Sequence, residues 1–452
     1  MKTSLIFFLW YNVRKGVYLM NTKKVVLTNG KVWTGELSED FNDSLSIVIE
    51  NDKISSIYND DSWKENEKDA EIIDLNGSYL LPGLINAHVH LPGSGKPSKN
   101  AKDPKTIQAL MANGFTRWVL TKCCEKYAKQ SLLSGVTTIR TVGGLGTVDS
   151  TIRNKINSGK TIGPRMLVCD MAVTCIGGHM GGVLAYEGAT PEECSDLVRK
   201  VVKDGNPDWI KLMITGGVLD AKVKGEPGVL KMTLEQVKAA CDTAHELGRK
   251  VCAHVESPLG VEVALKGGVD TVEHGAILDE EKVRLFKEKG AALITTLSPA
   301  IPLSKMDAKL TGGTELTQYN GTVVLDGILN ASIEGMKQGI PVGLGTDSAC
   351  PFVAQYDFWR EVNYLNKMAN VPLKKVLWIA THENARILGI DKETGSIEKG
   401  KSADLIVVKE NPFLDARNLT KLSDVFIKGE RIHNPKLKKN KLIEEALDTV
   451  SF

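Results

Sequence analysis

The chain has 452 residues, enough for two or three domains or for one large barrel with an appendage. Hydrophobic residues make up 42% and charged residues 25%, a globular balance that excludes wholesale disorder. Lys and Arg number 57 against 55 Asp and Glu, and a net charge of +2 gives no electrostatic ground for a nucleic-acid or anionic-membrane partner. The eight cysteines include no C-x-x-C pair, which excludes a zinc ribbon or a thioredoxin site. Scattered in this way, they read as small buried hydrophobes of a reducing, cytoplasmic compartment.

The opening MKTSLIFFLWYNV is apolar but too short to span a bilayer. Arg14 and Lys15 stand where a signal peptide would place small residues for cleavage. Residues 1–19 are therefore expected to be an extension ahead of a start at Met20, with an export signal as the alternative. From Lys24 to about Tyr79 short β-type runs alternate with turns. KVVLTNGKVWTG carries a hairpin signal at Asn29-Gly30, and LSIVIENDKISSIY turns at Asn51-Asp52. These runs predict a small antiparallel sheet within residues 20–82.

After LPGLINAHVHL, buried-looking strands alternate with amphipathic helices. Strands are predicted at Leu84–His88, Val136–Val142, Arg165–Val173, Trp209–Thr215, Lys250–Val255, Thr271–His274, Leu293–Leu297 and Pro341–Gly345. Between them lie PEECSDLVRKVVKDG, TLEQVKAACDTAHELG, PLGVEVALKGG, LDEEKVRLFKEKG and ASIEGMKQG, several bracketed by Pro or Thr starts and Gly stops. Eight strands with interleaved helices predict an α/β fold, a (β/α)8 TIM barrel over residues 83–385. A doubly wound sheet is the alternative; GGLGTV at Gly143 to Val148 is too incomplete to supply its phosphate-binding fingerprint. Past ARILGI, β-texture returns in GSIEKGKSADLIVVKENP and DVFIKGERI. Residues 386–452 are expected to join residues 20–82 in one small β-sandwich formed by both chain ends. The lysine-rich KLKKNKLIEEALDTVSF is read as a solvated helix.

Chemistry-bearing residues fall at the strand ends. His88 and His90 form H-x-H at the end of the first strand, and Lys211 lies in the fourth. His254 ends the fifth strand, His274 ends the sixth and Asp347 follows the eighth. In a barrel, the C-terminal strand ends meet at one mouth. Both histidines of H-x-H reach it where the strand bends or terminates. Four histidines with an aspartate suit a divalent metal pair, zinc or its neighbours ahead of calcium or magnesium. A lone histidine is more often a core residue, and a lone lysine such as Lys211 snorkels or pairs. The convergence is what favours metal.

LPGLINAHVH, VEHG and GTDS resemble the amidohydrolase superfamily. AHVESPLGVEVALKGGVDTVEHGAILDEE resembles its branch of imidazolonepropionase-like enzymes, Xaa-Pro dipeptidases, metal-dependent carboxypeptidases and ochratoxinase. GSIEKGKSADLIVV and THENARILG are typical of the same superfamily, and the resemblance runs from Val25 to about Ile432. It implies two divalent metal ions, most simply Zn2+, bridged by Lys211 carbamylated from CO2. One ion would bind His88, His90 and Asp347, the other His254 and His274. The ions would share a hydroxide nucleophile, and Asp347 would move its proton to the leaving nitrogen. His179 in TCIGGHMGG resembles a substrate-binding or oxyanion-stabilising histidine, with loop packing as the alternative. Gly216 and Gly217 leave room for backbone to approach substrate. Arg140 is open between neutralising a substrate carboxylate and a salt bridge in the barrel wall. His245, His382 and His433 read as structural.

The leading expectation is a binuclear amide hydrolase acting on a small molecule, a dipeptide or N-acyl amino acid. A mononuclear deaminase or cyclic-amide hydrolase is the alternative, kept open by Glu256 two residues after His254. A non-catalytic binding protein has no evident need for six converging polar groups. The loops GGVLDAKVKGEPGVLKMT and SPAIPLSKMDAKLTGGTEL show no readable pocket. An inward lysine or arginine would bind a substrate carboxylate, and several candidates exist. Homo-oligomers are expected by analogy with related enzymes.

Overall fold

The computed structural model describes residues 24–97 and 103–450, so the reading of residues 1–19 lies outside the described residues. Six strands open the chain: β1 (Lys24–Thr28), β2 (Lys31–Val32), β3 (Ser46–Glu50), β4 (Lys53–Tyr58), β5 (Glu71–Asp74) and β6 (Tyr79–Pro82). Then follow β7 (Leu84–Val89), β8 (Val136–Thr141), β9 (Arg165–Val168), β10 (Ala172–Cys175), β11 (Ala185–Gly188) and β12 (Trp209–Met213). The remainder are β13 (Lys250–Val255), β14 (Thr271–His274), β15 (Ala292–Thr295), β16 (Val342–Leu344), β17 (Leu405–Val408), β18 (Leu422–Ile427) and β19 (Glu430–His433).

The two ends of the chain meet. β17 pairs antiparallel with β6, Leu405 opposite Pro82, in the sheet β19-β18-β17-β6-β2. That sheet and β4-β3-β1-β5 share one core, in which Leu27, Ile47 and Ile73 from one meet Leu80, Val407 and Phe426 from the other. The Asn29-Gly30 turn is not a hairpin. β1 pairs with β3 and β5 and β2 with β6, so the turn passes the chain from one sheet to the next. Asn29 adopts φ 55, which suits either use, and the dipeptide signal cannot tell them apart. Asn51 at φ 57 does turn β3 into antiparallel β4.

The central strands are parallel, in the sheets β11-β10-β12-β13-β14-β15-β16 and β7-β8-β9. Ile210, Leu212 and Ile214 pack with Val237, Ala240 and Val261 of the covering helices, which turns the alternate residue, Lys211, to the other face. The third predicted strand is broken: Asp170 at φ 55 separates β9 from β10. Both halves still face β12, through Asp208 N donating to Val168 O and through Val173 opposite Leu212. Past β16 the chain lies along β7. Thr346 and Asp347 donate their N–H groups to the His88 carbonyl, and Val89 bridges Ser348 in parallel.

Two segments differ from their expected state. The stretch after β15 is no loop but a helix, Leu297–Lys305, whose first N–H groups donate to the buried Glu361 carboxylate at 2.6 and 2.7 Å. The C-terminal helix Lys441–Asp448 is not solvated all round. Its Ile443 and Leu447 are buried against Met306, Phe352 and Tyr356, Asn440 N donates to the Tyr356 hydroxyl, and Arg360 pairs with Asp448 at 2.9 Å. An i, i+4 pair of apolar residues is the one local signal for that buried stripe. No helix among the described residues is long and apolar enough to cross a membrane.

Candidate active site

His88 and His90 share a face at the end of β7, two residues apart, and the pairing of β7 with β8 shifts register just before them. Each ring is fixed from behind. His88 Nδ1 lies 2.7 Å from Glu273 Oε2, and His90 Nδ1 lies 2.8 Å from the Gly143 carbonyl. Carboxylate and carbonyl only accept, so both Nδ1 atoms carry the proton and both Nε2 atoms face forward. Asp347 Oδ1 stands 3.3 Å from His88 Nε2 and 3.2 Å from His90 Nε2. His88 Nε2 is buried and has no hydrogen-bond partner. With no proton on either Nε2, three lone pairs converge here, an arrangement that suits a shared cation; with a proton there, the rings would instead donate to the Asp347 carboxylate.

His274 joins this group: ligand atoms of His88, His274 and Asp347 lie within 4.8 Å of one another. Its Nδ1 is 2.6 Å from Thr296 Oγ1. The His254 ring centroid is 4.7 Å from that of His274, and its Nε2 lies 3.2 Å from the Gly216 carbonyl. Burial pushes both imidazoles well below the ordinary histidine range, which keeps their lone pairs available; His179 adds to the effect at His254 and His88 at His274. Burial would raise the Asp347 carboxyl, but the His88 and His90 rings hold it well below its usual range. Lys211, 1% exposed, carries its charge close to His254, His274 and Glu273. Its ammonium makes no hydrogen bond or ion pair among the described residues, an expensive state for a buried lysine. The imidazole nitrogens and the Asp347 carboxylate are donor types that fit a divalent cation.

His179, Gly216 and Gly217 come together at the rim. His179 stacks on His254 with centroids 4.4 Å apart and planes 14° apart, and its Nδ1 bonds the Asp220 carboxylate. A Cβ at Gly217 would lie 3.0 Å from His179 Cε1 and 3.5 Å from His254 Nε2, so glycine is what leaves this approach open.

Arg140 does not face the histidine group, and the substrate-carboxylate reading is corrected. It is wholly buried, with its guanidinium donating to Ala87 O, Thr271 Oγ1 and Glu273 Oε1. Glu273 is the residue sequence reasoning missed. Burial opposes its ionisation, but Arg140 and then His88 hold its carboxyl below the usual range. It directly precedes His274, and two neighbours on a regular strand face opposite ways. His274 at φ 65 breaks that alternation, so Glu273 reaches His88 while His274 still faces the group. Asp220, Cys350 (whose thiol donates to Asp347 Oδ2 at 3.4 Å) and Thr296 were equally unmarked in the sequence. His245, His382 and His433 lie elsewhere, against Asp270, Trp378 and Asp424.

The loop that holds His90 rests on a buried acid. A Cβ at Gly144 would lie 2.4 Å from Asp149 Oδ2. Neither carboxylate oxygen of Asp149 has a hydrogen-bond partner, and burial, with Asp170 beside it, raises the group to about 7. An unfolded aspartate ionises near pH 4, so the folded state loses stability as pH rises from about 4 to about 7. Asp149→Asn should therefore be more stable than wild type above pH 7, by about 2–4 kcal/mol, and lose that advantage near pH 4. Melting temperatures of both proteins between pH 5 and 8 check this; parallel curves would refute it.

The amidohydrolase family model matches residues 79–432. The chain belongs to the amidohydrolase family. This amidohydrolase is accordingly a hydrolase acting on C–N bonds. Ochratoxinase of Aspergillus niger is 27% identical over 369 residues, covering 75% of this chain and 72% of that protein. Imidazolonepropionase of Alkaliphilus metalliredigens is 23% identical over 393 residues, covering 80% and 83%. Among solved structures, a Bifidobacterium longum protein assigned as a prolidase is 33% identical with a TM-score of 0.82, covering 95% of this chain and 99% of its own. A Xaa-Pro dipeptidase with methionine bound in its active site is 30% identical with a TM-score of 0.78, covering 91% and 100%.

Proposed function

We propose that this amidohydrolase holds two zinc ions and cleaves the amide bond of a dipeptide or N-acyl amino acid. In this reading β7, β8, β9 with β10, and β12 to β16 close into one (β/α)8 barrel, and the two smaller sheets form a β-sandwich of both chain ends. The observation that carries it is the convergence of the His88, His90 and Asp347 lone pairs beside His274 and His254. One ion would sit with His88, His90 and Asp347, and the other with His254 and His274. Lys211, as a carbamate, would give both an oxygen ligand and exchange an unpartnered buried cation for an anion. Bound metal supplies an acidified water and a polarised carbonyl at neutral pH.

The chain's own residues do the rest. Asp347 keeps Oδ1 toward the histidines and Oδ2 toward the Cys350 thiol, so Oδ2 accepts the proton of the attacking water and returns it to the leaving nitrogen. His179, held by Asp220, orients the substrate carbonyl. The Gly216–Gly217 backbone gives the substrate space. A cyclic-amide reading draws on Glu256, which burial and the Asp347 charge raise to about 8 and so keep protonated near neutrality.

The test is a substrate screen. Protein reconstituted with zinc and bicarbonate is offered dipeptides and N-acyl amino acids while free amino acid is followed. Release from one C-terminal class is the expected result. No release at two metals per chain turns the assignment to cyclic amides, and no release at one metal turns it to mononuclear chemistry.

A further inference from the structure

We infer that Lys231 is the anchor for a free carboxylate on the substrate, and thereby the residue that sets a preference for amides ending in a carboxylate. The inference rests on the amide-hydrolase reading above and adds to it the end of the substrate that is recognised.

The cations near the site differ in what they are committed to. Arg140 spends its donors inside the wall, on Ala87, Thr271 and Glu273. Lys224 lies over the Tyr319 ring, 4.4 Å from its centroid. Lys222 and Lys224 belong to the exposed outer part of the loop. Lys231 is half-buried, and among the described residues it makes no hydrogen bond or ion pair.

Its position is set by a short hairpin. Thr215 and Leu230 form an antiparallel bridge, Gly216 N donates to Val229 O at 2.8 Å, and Lys231 N donates to Ile214 O at 2.9 Å. The hairpin lays the lysine stem along the glycine pair. A Cβ at Gly216 would lie 3.4 Å from Lys231 Cε, as one at Gly217 would lie 3.0 Å from His179 Cε1. The ammonium's charge is felt by Asp220, the partner of His179, and by Cys175 at the end of β10. Lys231 therefore stands on the same glycine strip as His179 and His254. In a dipeptide or N-acyl amino acid, the free carboxylate carbon is three bonds from the scissile carbonyl carbon. A half-buried, uncommitted ammonium there gives a charge-assisted hydrogen bond to that group.

The test does not need turnover. Zinc-and-bicarbonate-loaded protein is titrated calorimetrically with N-acetyl-leucine and with N-acetyl-leucinamide, which differ only at the carboxylate. Wild type should prefer the carboxylate about tenfold or more. Lys231→Ala should abolish that preference, and Lys231→Arg should restore most of it; circular dichroism checks the fold of each. Equal binding of both probes by wild type overturns the proposal, as does failure to bind either. An equal weakening of both probes in Lys231→Ala also overturns it, because the lysine would then only support the hairpin. A carboxylate preference that depends on Lys231, with no leucine released, upholds the anchor and counts against the proposed reaction.

Discussion

Lys211→Ala is expected to bind little metal and to lose on the order of a thousandfold or more in turnover. Ile210 and Leu212 point into the helix-covered core, so Lys211 faces the histidines with 1% of its surface exposed. An ammonium there has no counter-charge in contact and disfavours a second cation. A carbamate reverses that sign and gains a ligand role. Lys211→Met separates the metal role from packing, since it keeps the length and apolar stem of the lysine without the buried charge. Its metal-free form should melt no lower than wild type, while zinc with bicarbonate should no longer raise its melting temperature. Metal analysis, turnover and a carbon-13 signal from labelled bicarbonate check the set. Unchanged metal content and turnover in Lys211→Ala would exclude the carbamate.

Asp347→Asn should fold normally and lose about a thousandfold or more in turnover, because an amide accepts no proton at neutral pH. Asparagine is the right substitution for a backbone reason. Asp347 sits at φ 53, a conformation that costs asparagine less than alanine, and its N–H donates to the His88 carbonyl at 2.9 Å. The bond that lays this segment along β7 is therefore kept. Turnover is measured at matched metal content, so that weaker binding of metal is not counted as lost proton transfer. A variant with normal turnover would remove Asp347 from the proton path.

Six candidate ligands could be placed from the sequence because five stand at or near the end of a buried strand and Lys211 stands within one, where period-two patterning and parallel topology set position. His179 was legible from its glycine-rich surroundings. Glu273 was not, since its inward placement depends on the positive φ of His274, which no local residue preference announces. Arg140 could be placed on β8 but not assigned a partner, because Glu273 lies 133 positions away in sequence. The break in the third strand turns on Asp170, a residue that tolerates left-handed geometry without demanding it. Local signals describe a turn well and its partners poorly, as Asn29-Gly30 shows. The helix after β15 begins inside a run that also reads as strand, and its capping acid, Glu361, is more than sixty positions downstream.

The C-terminal helix has a consequence for how this chain can be altered. It follows the last strand, so it looks dispensable, yet Ile443 and Leu447 rest on Phe352 and Tyr356, a few residues beyond Asp347. That stretch holds three non-glycine residues at positive φ, Asp347, Ala349 and Phe352. Such a backbone persists only where its surroundings over-determine it. A premature stop or a fusion joined at this end is thus, in effect, an edit of the Asp347 loop made from the far end of the chain.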